Sequence, residues 1–130
     1  MERNGTEVYE NALTNFVQLI LGQGRRVILV PQYHQSRAGA DRPGRRGVAE
    51  IDRVFGQAVA EHNAVTRRVS SSFNLPYLSA IETRPPFVRS DLNDSMHFNR
   101  WGAEKMADLV YRFLVDETDA LAGQATCHGG

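Results

Sequence analysis

An aspartate and a histidine stand three residues apart in Asp94-Ser95-Met96-His97-Phe98-Asn99. That spacing is close to one helical or 3₁₀ turn, so the two side chains can point the same way. A carboxylate beside an imidazole is the base half of a nucleophilic site. The carboxylate selects the ring tautomer and steadies the cation, and the imidazole takes a proton from a hydroxyl. Arg100-Trp101-Gly102-Ala103 follows at once and opens a patterned helix, with Asn99 placed as its N-cap. The hydroxyl is the missing part, because no serine here sits in a nucleophile elbow. Ser36 is the candidate, since it lies on the loop after the first expected strand. Ser95 lies between the pair but diverges from both, and Ser70-Ser71-Ser72 end a helix. His34 opens the same loop as Ser36 and is a candidate substrate contact.

Each of these residues also has a plainer reading. On spacing alone, Asp94 caps a turn and His97 is solvated beside it. His62 lies on an apolar helical stripe and reads as a packed histidine. Asn63 next to it reads as a hydrogen-bonding partner for a loop, with no chemistry assigned. Arg37, Arg42, Arg45 and Arg46 form either an anion site or a solvated loop, and the solvated loop is the simpler. Cys127-His128 supplies two ligands, too few for a metal site. Trp101 packs the start of the last helix.

The elements that position these residues alternate. Residues 8–21 carry apolar side chains at Val8, Ala12, Leu13, Phe16, Val17, Ile20 and Leu21, a helical stripe ended by Gly22 and Gly24. Val27-Ile28-Leu29-Val30 is a β-branched run closed by Pro31 and reads as a buried strand. Residues 32–46 form a polar loop. Val48, Ile51, Phe55, Ala58, His62, Val65 and Val69 then recur at steps of three and four, which predicts a helix over 47–71 with those residues inward. Tyr77-Leu78-Ser79-Ala80-Ile81 is a second expected strand. Residues 82–98 form another long loop, and a last helix runs over 100–115. Helix, strand, helix, strand, helix predicts parallel pairing through right-handed crossovers, with ligand sites beyond the carboxyl ends of the strands. Both long loops leave such ends. Residues 1–117 read as the domain and 118–130 as a flexible C-terminal tail.

Composition narrows the classes. A chain of 130 residues is one domain at most, and 42% apolar with 23% charged is ordinary for a globular protein. The formal net charge is zero, so no global field draws the chain to nucleic acid or an anionic membrane. Cys127 is the single cysteine, which excludes a disulfide framework. Met1-Glu2-Arg3-Asn4-Gly5-Thr6-Glu7 is polar, and no apolar run reaches a membrane span. The compartment stays open.

The block Asp94-Ser95-Met96-His97-Phe98-Asn99, with Gly102-Ala103 and Met106-Ala107 behind it, resembles the C-terminal block of the SGNH (GDSL-type) hydrolases. In that family an Asp-x-x-His pair precedes the last helix. The upstream order is similar too: a helix, the Gly24-Arg25-Arg26-Val27-Ile28-Leu29-Val30 run, a variable loop, a helix carrying His62-Asn63, and Asn74-Leu75-Pro76-Tyr77-Leu78. The likeness covers residues 8–115 and is most specific over 94–107. It implies a three-layer α/β/α, flavodoxin-like parallel sheet, incomplete here. It implies a serine esterase or acylhydrolase in which His97 is the general base and Asp94 its orienting carboxylate. A small ester or acylated carbohydrate would be the substrate, with no metal or organic cofactor. The family's Gly-Asp-Ser block and its oxyanion-hole glycine block are absent. The nearest string to its Gly-x-Asn-Asp block is Gly5-Thr6-Glu7-Val8, which lacks the Asn and the Asp. The expectation is a chain that begins after those blocks and leaves a sheet edge exposed to pairing. The alternatives are a non-catalytic α/β binding module or a truncated, inactive fragment.

Overall fold

The structure, a computed structural model, describes residues 5–36 and 47–128, with side chains to residue 117. The chain order is α1 (Gly5–Gly22), α2 (Val48–Ser72), the short α3 (Ala80–Thr83), a 3₁₀ turn at Arg89–Asp91, and α4 (Arg100–His128). The last helix therefore runs past the residues whose periodicity announces it. Among the described residues, no helix is long and apolar enough to cross a membrane.

The expected parallel sheet is not there, and the α/β/α, flavodoxin-like architecture is overturned with it. No strand forms among the described residues. The two runs read as strands meet in a single parallel bridge, Leu29 with Tyr77. The Leu29 N–H donates to the Pro76 carbonyl at 3.0 Å, and the Leu78 N–H donates to the Leu29 carbonyl at 3.1 Å. Proline explains why the ladder stops. Pro31 and Pro76 flank the bridge, and neither has an N–H to extend it. On the other side the chain turns into α3, where the Thr83 N–H reaches back to the Ser79 carbonyl at 3.0 Å. Ser79, Ala80 and Ile81 thus leave the extended path expected of a strand over 77–81.

Helix packing forms the core. Val17 of α1, Val65 and Val69 of α2, and Leu29 are buried together. Tyr9, Leu13, Leu21, Phe73, Leu75 and Tyr77 pack around them. Each such aliphatic contributes about 1.5–3 kcal/mol when withdrawn fully from water. The Tyr9 hydroxyl pairs with Thr66 Oγ1 at 2.8 Å, and its ring lies 4.6 Å from that of His62. His62 is therefore packed, as its stripe suggests.

In the first half of α2 the buried face is not the apolar one. Ile51, Val54 and Phe55 are more than half exposed, whereas Asp52 and Val59 are buried. There the buried stripe is displaced by one residue, about 100° around the axis, from the expected one. Further along, Val65 and Val69 are buried as expected, with Asn63, Thr66 and Ser70 beside them. The side that carries Asp52 and Asn63 faces segment 32–35, whose backbone needs partners. Asn63 supplies them: its Oδ1 accepts the Gln32 N–H and its Nδ2 donates to the Gln32 carbonyl, both at 2.8 Å. Asn63 is 5% exposed, so its carboxamide has given up water for these two bonds. Asn63→Ala is expected to destabilise the fold by about 1–3 kcal/mol. Chemical denaturation reads this as a lower midpoint at unchanged slope, and an unchanged midpoint refutes the clamp.

Candidate functional site

Asp94 and His97 meet in the loop of a small hairpin, and no helical turn is needed. Leu92 and Phe98 form an antiparallel bridge, and the Asn93 N–H donates to the His97 carbonyl at 2.8 Å. Inside that loop Asp94 organises the backbone. Its Oδ1 accepts the N–H groups of Met96 and His97, each at 2.7 Å. Its Oδ2 lies 2.7 Å from Nδ1 of His97. One carboxylate therefore folds the turn with one oxygen and orients the imidazole with the other. These bonds hold its carboxyl well below the ordinary carboxylate range, the Met96 N–H first and the His97 ring next. With Nδ1 facing the carboxylate, Nε2 is the nitrogen left to exchange a proton. The His97 side chain is 77% exposed, so that nitrogen is open to an incoming group.

Behind the pair stands a well-anchored helix start. Asn99 Oδ1 accepts the N–H groups of Trp101 at 3.0 Å and Gly102 at 3.2 Å, capping α4. Asn99 Nδ2 donates to the Ser90 carbonyl at 2.6 Å. Asp91, 3% exposed, accepts Lys105 Nζ at 2.6 Å and the Val88 N–H at 2.9 Å. The Lys105 ammonium, then the Val88 N–H, hold the Asp91 carboxyl below its usual range. Gly102 allows this closeness, because a Cβ there would collide with the Asp91 carbonyl oxygen and with the Phe98 ring. Next to His97 in the chain, Phe98 clusters with Phe87 and Tyr33, with Phe87 and Phe98 centroids 4.5 Å apart and tilted, and Tyr33 and Phe87 4.8 Å apart and tilted. Burial pushes the Tyr33 hydroxyl above its usual range, and Asp91 adds to this. The aromatic trio has no periodic signature. Its only trace in the sequence is that Tyr33 and Phe98 each lie one residue from a histidine.

A groove of about 340 Å³ opens beside the pair, between Ile51, Asp52 and Phe55 of α2 and Asp94, Met96 and His97 of the loop. The two long loops meet here, where the Gln35 N–H donates to the Ser95 carbonyl at 2.9 Å. His34 is not an open loop residue. Its Nε2 lies 3.2 Å from Asp52 Oδ1, with side chains only 9% and 8% exposed. Ser36 is exposed, and its hydroxyl bonds neither Asp94 nor His97. Ser95 lines the groove without bonding the His97 ring. Arg37, Arg42, Arg45 and Arg46 lie outside the described residues, as do the side chains of Cys127 and His128. Among the described residues, no three His, Cys, Asp or Glu side chains converge in a way that would hold a metal ion. The pair, the exposed Nε2 and the groove together can deprotonate a hydroxyl brought to His97.

Two outcomes test this geometry. Because the folded Asp94 carboxyl is depressed, its hold on the turn is complete above the unfolded value of about 4 and is lost as pH falls through the lower folded value. Amide shifts of Met96 and His97 should therefore stay native-like through pH 4 and break only in stronger acid. A midpoint at or above the ordinary aspartate value would refute the arrangement. Gly102→Ala should lower the thermal midpoint by several degrees and release the Asn99 cap, visible as faster exchange of the Trp101 amide. An unchanged midpoint would show that α4 does not need that close approach.

No family model and no curated protein matches this chain. Its fold is similar to a crystal structure described as that of a GDSL-like lipase from Parabacteroides merdae, with 17% sequence identity and a TM-score of 0.57. The likeness covers 86% of this chain and 50% of that one, so this chain spans half the length of the solved protein it matches.

Proposed function

We propose that this chain carries the base half of an SGNH-type ester-hydrolase site, with His97 as general base and Asp94 as its orienting carboxylate. The observation that supports it most is the double use of the Asp94 carboxylate, which folds the turn and holds Nδ1 of His97 at 2.7 Å. The fold likeness to a GDSL-like lipase, over 86% of this chain, supports the reading at the level of the fold. In this reading His97 Nε2 takes the proton of an attacking hydroxyl, the acyl carbon passes to that oxygen, and the imidazolium returns the proton to the leaving alcohol. Water repeats the cycle to release the acid. Asp94 keeps the ring in the productive tautomer and stabilises its cation. The substrates are small O-acyl esters, which suit a groove lined by Ile51 and Phe55 beside the His97 ring. The sequence holds no Gly-Asp-Ser, so the chain is assigned the base half alone.

One observation favours a binding role without catalysis. Among the described residues, no serine or threonine hydroxyl bonds the His97 ring. An activated ester separates the readings, because an oriented imidazole accelerates its hydrolysis even without a serine. The purified chain should hydrolyse p-nitrophenyl acetate above buffer background. His97→Ala should return the rate to background, and Asp94→Asn should lower it at least about tenfold. A rate unchanged by His97→Ala refutes the assignment. Covalent labelling of a serine by a fluorophosphonate would extend the assignment from the base half to a whole site.

A further inference from the structure

One stripe of α2 is built to hold a second, buried histidine–aspartate pair. Asp52, Gly56, Val59 and Asn63 recur at steps of four, three and four, so they share a face of the helix. Asn63 grips Gln32 by its backbone. Three turns earlier, Asp52 grips the His34 ring. Between them Gly56 leaves room for that ring: a Cβ there would lie 2.8 Å from His34 Cε1 and 2.9 Å from Nδ1. The imidazole thus lies directly against the α2 backbone, with the Asp52 carboxylate at its Nε2.

A buried ionisable pair is a poor way to stabilise a fold. Its desolvation offsets most of its attraction, and apolar residues of similar volume do as well or better. Its particular property is direction, since a hydrogen-bonded ring has one orientation and greasy packing has several. What lies next to it is the catalytic candidate. The Gln35 N–H, one residue beyond His34, donates to the carbonyl of Ser95, one residue beyond Asp94. Asp52 also lines the groove that Asp94 and His97 line. A continuous path runs from the α2 backbone through Asp52, His34, Gln35 and Ser95 to the Asp94 turn.

We propose that His34 and Asp52 are a positioning pair that sets the orientation of the Asp94–His97 pair by fixing segment 32–35 against α2. The proposal rests on reading His97 as a base, but its test needs no turnover, so the two fail separately. It makes His34 a support for the imidazole and not a group that meets substrate.

The test uses the full chain labelled with nitrogen-15 in its histidines, compared with Asp52→Asn and His34→Gln. In the unmodified chain, His97 should be held in the Nδ1–H tautomer that Asp94 selects. In either variant, its tautomer ratio should move toward that of free imidazole, and exchange of the Met96 and His97 amides should speed up about tenfold or more, the scale of one lost hydrogen bond. A folded variant in which the His97 tautomer and those amides stay as they were overturns the proposal, even if the thermal midpoint falls. A second measurement needs no variant. In the unmodified chain the Gln35 amide should open together with Met96 and His97, with matching exchange free energies. If Gln35 opens freely while the other two stay protected, the path through Ser95 does not exist.

Discussion

The Asn63 side chain replaces a missing neighbour. Segment 27–35 runs extended beside α2 without a sheet to receive its backbone, and a buried N–H or carbonyl left without a partner is expensive. One carboxamide has a donor and an acceptor at the spacing of a backbone amide, so it meets both groups of Gln32 at 2.8 Å. Leu29 then reaches Tyr77 at one end of the segment, and Gln35 reaches Ser95 at the other. Between those two points the segment is held to α2 by this carboxamide and by the His34–Asp52 pair. The groove and the contact to the Asp94 loop depend on both attachments.

That dependence explains what was legible in the sequence and what was not. The Asp94–His97 pair was legible because its organisation is local: the carboxylate, the two amides and the ring lie within four residues. The N-cap of α4 was legible for the same reason. The sheet was misread because the Val27–Val30 run says only that the segment is extended and apolar. It does not say whether a second strand is within reach, and Pro31 and Pro76 limit the contact to one bridge. The α2 face was misread because hydrophobicity points to Ile51 and Phe55, while the segment on the other side calls for hydrogen-bonding groups. A stripe of Asp52, Gly56 and Asn63 is invisible to a search for oil. The partner of His34 lies eighteen residues away on another element, and spacing carries no signal over that distance.

The arrangement around the pair also divides two tasks between two carboxylates. Asp94 is partly exposed and holds the His97 ring, whereas Asp91, three residues earlier, is buried and holds Lys105. Both are drawn below their usual range, by different partners: two backbone amides and an imidazole for one, an ammonium and one backbone amide for the other. The pair can therefore change protonation at His97 without disturbing the ion pair that seats α4.

That ammonium belongs to Lys105, the only lysine among 130 residues, where every other basic side chain is arginine. It reaches both the Asp91 carboxylate and the Pro86 carbonyl, and 40% of its side chain remains in solvent. Amine-directed reagents thus find a single side-chain target in the whole polypeptide, and it is the pin that seats the last helix. Acetylation there would erase the charge while leaving every arginine untouched. The seat of α4 is consequently addressable by one chemical modification, at one atom.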